Sequence, residues 1–148
     1  MTLHARWRSA LPDMPILPEA LDRLPAYVTR YGQTLGVSVR AVGGAEDHLH
    51  LLFDLPGNRT IDSAMAELQR ATARFLQDVL GQRAFSWKAA YFAESIGAEM
   101  IATVADYVTE NRRHHDASTT HDEWEDIAED AASDDESLPA WLREAMSK

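Results

Sequence analysis

The segment DHLHLLF at positions 47–53 places His48 and His50 one residue apart. Side chains alternate along a β-strand, so both imidazoles would project from one face and the apolar side chains from the other. Two neutral imidazoles on a rigid strand can hold a divalent cation while the apolar face anchors the strand in a core. The alternative is an amphipathic strand whose histidines face solvent and bind nothing.

A second group of polar residues follows about sixty positions later, in the segment DYVTENRRHH at 106–115. On a helix, Tyr107 and Asn111 are one turn apart and share a face. A phenol beside an amide ligand, brought near a bound metal, can act as a nucleophile in phosphoryl transfer. The alternative is that Tyr107 only borders the apolar stripe of this helix, which contains Met100, Ile101, Val104 and Val108.

These residues need a scaffold, and the hydrophobic periodicity predicts one of alternating strands and helices. Pro18 suits the first turn of a helix that Gly36 would end, and Thr60 or Asp62 can cap the next helix. Gly43-Gly44 is interpreted as the turn of an antiparallel strand pair. The predicted strands are 3–8, 37–42, 48–55 and 85–95, and the predicted helices are 18–35, 60–79 and 97–114.

This order predicts an α+β chain with the split βαβ arrangement of ferredoxin-like folds. The antiparallel sheet would carry helices on one face, with the tyrosine helix added. The other face, which bears the histidine pair, is expected to be open.

Composition indicates one compact domain with an acidic extension. The chain has 148 residues, no cysteine and a net charge of -10. Residues 1–114 contain 12 Lys and Arg against 13 Asp and Glu, whereas residues 115–148 contain 2 against 11. The nearly neutral first part lacks the broad basic footprint of a strong DNA binder. No apolar run reaches membrane-spanning length and no signal-peptide pattern is present, so a cytoplasmic protein without membrane association is expected.

Taken in order, these motifs resemble one family, the single-tyrosine transposases of the insertion-sequence 200/605 group within the HUH (His-hydrophobic-His) endonucleases. REP-associated tyrosine transposases are relatives within the same group. The resemblance runs from about His4 to about Ile127 and includes an early strand, the histidine segment, the 86–95 segment and the tyrosine helix. It implies a catalytic domain at 1–127 and an acidic tail at 128–148, in which 137–146 is a candidate short helix.

The resemblance also implies a chemistry. His48, His50 and Asn111 would hold a divalent metal, magnesium or manganese, with Asn111 at the position where many members carry glutamine. Tyr107 would attack single-stranded or hairpin DNA and form a 5′-phosphotyrosine intermediate. The working unit would be a homodimer that combines the histidine pair of one subunit with the tyrosine of the other. The alternatives are a domesticated, non-catalytic hairpin-DNA-binding regulator and an interaction protein whose histidines are idle.

Several neighbouring polar residues have simpler interpretations. Asp47 is expected to cap a turn, because alternation along the strand directs it away from the histidine face. His114 and His115 would complement the dipole of a helix end. Scattered arginines such as Arg6 and Arg8 are expected to be solvated.

Overall fold

The computed structural model describes residues 1–10, 14–125 and 127. The predicted tail at 128–148 and its candidate helix at 137–146 therefore lie outside the described residues. One four-stranded sheet of antiparallel pairs forms the centre, in the order β2-β3-β1-β4. Its strands are β1 Thr2–Ser9, β2 Ser38–Ala45, β3 His48–Asp54 and β4 Trp87–Ser95.

Five α-helices accompany the sheet within the described part of the chain. They are α1 Pro18–Thr34, α2 Ile61–Arg74, α3 Ile101–Thr109, α4 Asn111–Asp116 and α5 Asp122–Glu125. A π-helical turn, Phe75–Val79, extends α2, and a 3-10 turn, Ala98–Met100, precedes α3. Pro18 begins α1 and Thr60 caps α2 by accepting a hydrogen bond from the Ser63 amide, as predicted. Among the described residues, no helix is long and apolar enough to cross a bilayer.

The first face of the sheet packs against α1 and α2 and forms the main core. Leu49, Leu51 and Phe53 point into it from β3 and are fully buried. Because the strand alternates, the neighbouring His48 and His50 face the opposite side. The ferredoxin-like α+β architecture is confirmed, and so is the alternation on which the histidine prediction rests.

The second face is covered, and the prediction of an open face is wrong. Val104 and Val108 of α3 pack with Ala41 and Leu52 of the sheet. Trp124 of α5 lies against the same cluster. The apolar stripe of α3 must itself be buried, and this face of the sheet is where it is covered.

The Gly43-Gly44 pair lies inside β2, which corrects the prediction of a turn there. Gly43 pairs with His50 and Gly44 with Leu49, so the chain reverses only after Ala45. A Cβ atom at Gly43 would overlap the carbonyl oxygen of Val108. These glycines therefore permit a close approach of backbone to backbone rather than a change of direction.

The tyrosine helix, predicted to run without interruption to about His114, is broken at Glu110. Here ψ rises to 18°, so α3 ends at Thr109 and α4 begins at Asn111. The hydrogen bonds from the Glu110 amide to Asp106 and from the His114 amide to Glu110 persist, both at 3.0 Å. The break is therefore a local kink immediately before Asn111.

Candidate active site

The two histidines of β3 converge on a carboxylate that is distant in sequence. Nε2 of His48 lies 3.1 Å from Glu125 Oε1, and Nε2 of His50 lies 3.2 Å from the same oxygen. Both imidazoles are buried, and the side chain of Glu125 is 17% exposed. Ligand atoms of these three residues all lie within 4.8 Å of one another.

The second oxygen of Glu125 binds the other two predicted site residues. The Tyr107 hydroxyl donates a hydrogen bond to Oε2, and Asn111 Nδ2 donates to it at 2.9 Å. Asn111 Oδ1 lies 3.2 Å from His48 Nε2. The structure thus brings His48, His50, Tyr107 and Asn111 of one chain together around a single carboxylate.

Tyr107 is enclosed by the segment that carries Glu125. Its ring stacks on His114 with centroids 4.7 Å apart and meets Trp124 edge-on at 5.0 Å. Its hydroxyl oxygen accepts a hydrogen bond of 3.0 Å from the His121 amide. Only 3% of the residue is exposed, so the phenol is held in one orientation.

The titratable groups around the Glu125 carboxylate have pKa values that are shifted in different directions. Burial opposes protonation of His48, but hydrogen bonds to Asp47 and Glu125 outweigh it and raise the pKa of His48 to about 9. Burial and the charge of His48 dominate at His50, where they lower the pKa to about 4. At Glu125, burial favours the neutral acid, but the histidines and Tyr107 hold the pKa of the carboxyl well below its usual range. Burial and the Glu125 carboxylate raise the pKa of the Tyr107 phenol.

Glu125 is not among the site residues predicted from the sequence, where Thr120 and Glu123 have only the spacing of a capping box. Periodicity within a four-residue helix cannot indicate which side chain enters a distant site. The one usable signal was Trp124, because an apolar side chain in an acidic stretch must be covered and its neighbour then lies close to the same surface.

Three simpler interpretations from the sequence are also corrected. Asp47 precedes β3 and lies in the turn, so strand alternation does not govern it, and its Oδ1 accepts a hydrogen bond of 2.7 Å from His48 Nδ1. His115 Nε2 lies 3.1 Å from both His48 Nε2 and Glu125 Oε1. Arg6 is fully buried rather than solvated, and its Nη1 lies 3.0 Å from Glu94 Oε1.

A cavity of about 930 Å³ leads to the site from the side of the β2–β3 turn. His48, His115 and Glu125 are among the residues that line it, and Arg8 and Arg112 add positive charge to its wall. Tyr107 does not line this cavity. Glu125 therefore contacts both the cavity and the phenol.

The donor set fits a divalent metal. Two imidazole nitrogens and one carboxylate oxygen are grouped closely enough to bind one ion. Asn111 Oδ1 offers a further oxygen next to His48. Each imidazole also has a polar partner at its remaining nitrogen, as is usual for histidines that bind metals.

The chain thus combines a ferredoxin-like sheet, a buried histidine pair and a tyrosine on a helix that faces them. Residues 14–111 match the family described as Transposase IS200 like. Because this match covers more than half of the chain, the chain belongs to that family. A comparison with curated proteins found no match.

Two solved structures share the fold. A candidate transposase from Deinococcus radiodurans R1 is 18% identical, with a TM-score of 0.58 over 76% of this chain and 91% of its own. A REP-associated tyrosine transposase bound to a REP hairpin is 17% identical, with a TM-score of 0.54 over 77% of this chain and 67% of its own. At this level of identity the likeness concerns the fold alone.

Proposed function

We propose that this transposase-family protein is a metal-dependent single-stranded DNA transesterase that forms a 5′-phosphotyrosine intermediate. One observation carries the proposal: the Tyr107 hydroxyl and the imidazoles of His48 and His50 meet on opposite oxygens of the same carboxylate, Glu125. A nucleophile and a candidate metal site in one small volume are what phosphodiester cleavage needs.

His48, His50 and Glu125 would hold the cation, with the Asn111 amide oxygen as a fourth ligand. Magnesium or manganese is proposed, and manganese is favoured because magnesium prefers oxygen ligands alone. The bound cation would neutralise charge on the non-bridging oxygens of the scissile phosphate.

The residues of the chain supply the rest of the chemistry. Tyr107 Oη would form a bond to phosphorus while the bond from phosphorus to the 3′ oxygen breaks, which leaves a free 3′-hydroxyl. The phenolic proton would pass by way of Glu125, which already accepts the hydrogen bond from that hydroxyl, to the departing 3′ oxygen. The ester bond to Tyr107 conserves the energy of the broken bond, so a second strand can be joined without an external energy source.

DNA would reach the proposed metal site through the cavity beside the β2–β3 turn, which His48 and Glu125 line. Arg8 and Arg112 there can bind phosphates, and each has a nearby carboxylate in this structure, Asp47 at 3.6 Å and Asp22 at 3.7 Å. These are long surface pairs that DNA phosphates could replace. Hairpin-containing single strands are the proposed substrate, in keeping with the hairpin bound by the REP-associated structure.

We assign the catalytic domain to residues 1–127 and an acidic appendage to 128–148, and we propose a homodimer as the working unit. Residue 127 is a reasonable limit because Ile127 is buried while Glu125, two positions before it, enters the site.

The second candidate is a domesticated regulator that binds hairpin DNA without cutting it. Two observations favour it: Tyr107 is enclosed, and residues 1–114 carry no excess of basic side chains. Binding without a covalent product would then be the whole activity.

The deciding experiment incubates the full chain with hairpin-containing single-stranded oligonucleotides from its genomic flanks. It is run with and without magnesium or manganese, and denaturing gels detect a covalent adduct. Tyr107→Phe removes the proposed nucleophile, and Tyr91→Phe is the matched control, because its hydroxyl bonds Asp62 outside the site.

A metal-dependent adduct that is lost only in Tyr107→Phe supports the transesterase. DNA binding without any adduct supports the regulator. An adduct of equal yield in Tyr107→Phe would contradict the assigned nucleophile.

A further inference from the structure

A chain of buried polar side chains runs behind His50, on the side away from Glu125. His50 Nδ1 lies 2.9 Å from His4 Nε2, and His4 Nδ1 lies 3.1 Å from Arg6 Nη1. The same Arg6 nitrogen donates to Glu94 Oε1 at 3.0 Å. His4 and Arg6 are fully buried, so solvent cannot replace these contacts.

The donor chemistry of arginine determines the direction of this chain. A guanidinium has only N–H donors, so His4 Nδ1 must accept and the single proton of a neutral His4 lies on Nε2. That Nε2–H group donates to His50 Nδ1, which leaves the proton of a neutral His50 on Nε2. His50 Nε2 then points its proton at Glu125 and has no free lone pair for a metal.

Metal binding through His50 Nε2 requires the opposite direction. The proton of His50 must then lie on Nδ1, and His4 Nε2 must accept it. His4 carries its own proton on Nδ1 and needs an acceptor there. Glu94 Oε1, 3.6 Å from His4 Nδ1, is the carboxylate in place for this role.

We propose that Glu94, Arg6 and His4 form a positioning chain that selects which nitrogen of His50 carries its proton, and that the chain reverses when a divalent cation binds. The inference rests on the proposed metal site. Each histidine keeps one proton throughout: the shared proton crosses from His4 to His50, while one proton leaves His50 Nε2 and one joins His4 Nδ1. Without the cation, Arg6 donates a hydrogen bond to His4 Nδ1. With the cation bound, Glu94 accepts a hydrogen bond from that nitrogen instead.

Nitrogen-15 NMR of the full chain tests this directly, because the chemical shifts and two-bond couplings of an imidazole distinguish its tautomers. The metal-free protein and the protein titrated with Mg²⁺ are compared, and His4→Gln and His50→Gln spectra assign the signals. We expect Nε2–H forms of both histidines without metal and Nδ1–H forms of both with it. Potassium chloride at matched ionic strength is the control and should leave both tautomers unchanged.

A second measurement removes the terminal acceptor. Glu94→Leu should weaken Mn²⁺ binding about tenfold, which is the lower limit usually seen when the hydrogen-bond partner of a metal ligand is lost. Calorimetry measures the affinity. Glu94→Gln keeps an oxygen that can accept from His4 and should lose less than about threefold. Thermal unfolding of both variants separates this effect from a general loss of structure.

The outcomes distinguish the two levels of proposal. Metal-dependent changes at His48 and His50 with an unchanged His4 tautomer would overturn the positioning chain and leave the metal site standing. The absence of any change at His48 and His50 at saturating Mg²⁺ and Mn²⁺ would overturn the metal site and the chain together. Equal affinities for Glu94→Leu and the unmodified protein would also overturn the chain.

Discussion

The carboxylate of Glu125 faces a different partner with each oxygen. Oε1 lies among imidazole nitrogens, whereas Oε2 accepts from the Tyr107 phenol and the Asn111 amide. In this arrangement Oε1 occupies the space between His48 and His50, where a cation would compete for the same nitrogens. Glu125 therefore couples the proposed metal site to the proposed nucleophile.

At the residue scale, Glu125→Gln should weaken Mn²⁺ binding by about tenfold or more, because an amide oxygen carries no full charge to offset that of the cation. Calorimetry measures the affinity. Glu123→Gln, an exposed position in the same helix, is the matched control and should bind Mn²⁺ as the unmodified protein does. Equal affinities for the two variants would exclude Glu125 from the metal site.

The pH dependence of the free energy of unfolding should be set by the protonation of the buried histidines. The pKa of His48 in the folded state is raised to about 9, so its contribution is complete below about 6.5, its unfolded value, and is lost as the pH rises towards 9. The pKa values of His4 and His50 are lowered to about 2 and about 4, mainly by burial, so protonation of the unfolded chain reduces stability below about 6.5.

The metal-free protein should therefore be most stable near pH 6.5, with a fall of up to about 1.4 kcal/mol per pH unit on the alkaline side. Urea unfolding at fixed pH values between 4 and 10 measures it. His48→Gln should flatten the alkaline limb and leave the acid limb in place. If the free energy of unfolding of His48→Gln changed with pH in the same way as that of the unmodified protein, the alkaline loss of stability would not be due to His48.

At the element scale, the position of the tyrosine helix depends on its contact with β2. Gly43 lies under the Val108 carbonyl and pairs with His50 across the sheet. The helix end is thus held close to the histidine strand, and the kink at Glu110 follows directly. Asparagine is a short amide, and this close approach lets Asn111 reach His48.

Gly43→Ala should displace the end of α3, because its new methyl group overlaps backbone rather than a flexible side chain. We expect a loss of about 1–3 kcal/mol in the free energy of unfolding, typical of overpacking, and weaker Mn²⁺ binding. Gly57→Ala is the control, since nothing lies within 4 Å of its Cβ position. Urea unfolding and calorimetry of both variants decide whether the close approach matters.

At the scale of the whole molecule, one chain supplies every residue of the proposed site. Tyr107, His48 and His50 meet within a single subunit. The family resemblance instead implied that two subunits share their tyrosine and histidine pair. A site assembled within one subunit would work without exchange of elements between partners.

Mixing two inactive variants distinguishes these arrangements. Tyr107→Phe and His48→Gln, purified separately and combined, should yield no more covalent adduct than either alone, because neither chain holds a complete site. Unfolding and refolding the two variants together makes their subunits exchange, and the unmodified protein taken through the same step should retain adduct. Restored adduct in the mixture of variants would show a site shared between subunits.

Local patterns in the sequence determined much of this protein. Alternation along β3 predicted that His48 and His50 share a face, and helical spacing predicted that Tyr107 and Asn111 do. Both depend only on backbone geometry over a few residues, which the chain carries with it into any fold. The roles of these residues in catalysis and metal binding remain predictions.

Only the tertiary structure decided what these residues meet. Glu125 lies 75 positions from His50, and His4 lies 46 positions from it, so no local period relates them. Gly43 was predicted to lie in a turn because its close contact with Val108 cannot be seen in the local sequence. Val108 belongs to a helix that is distant in the chain. The covering of the second face was also decided by tertiary packing. An apolar stripe in the sequence indicates that a helix face must be buried, and only the packed fold shows against which surface.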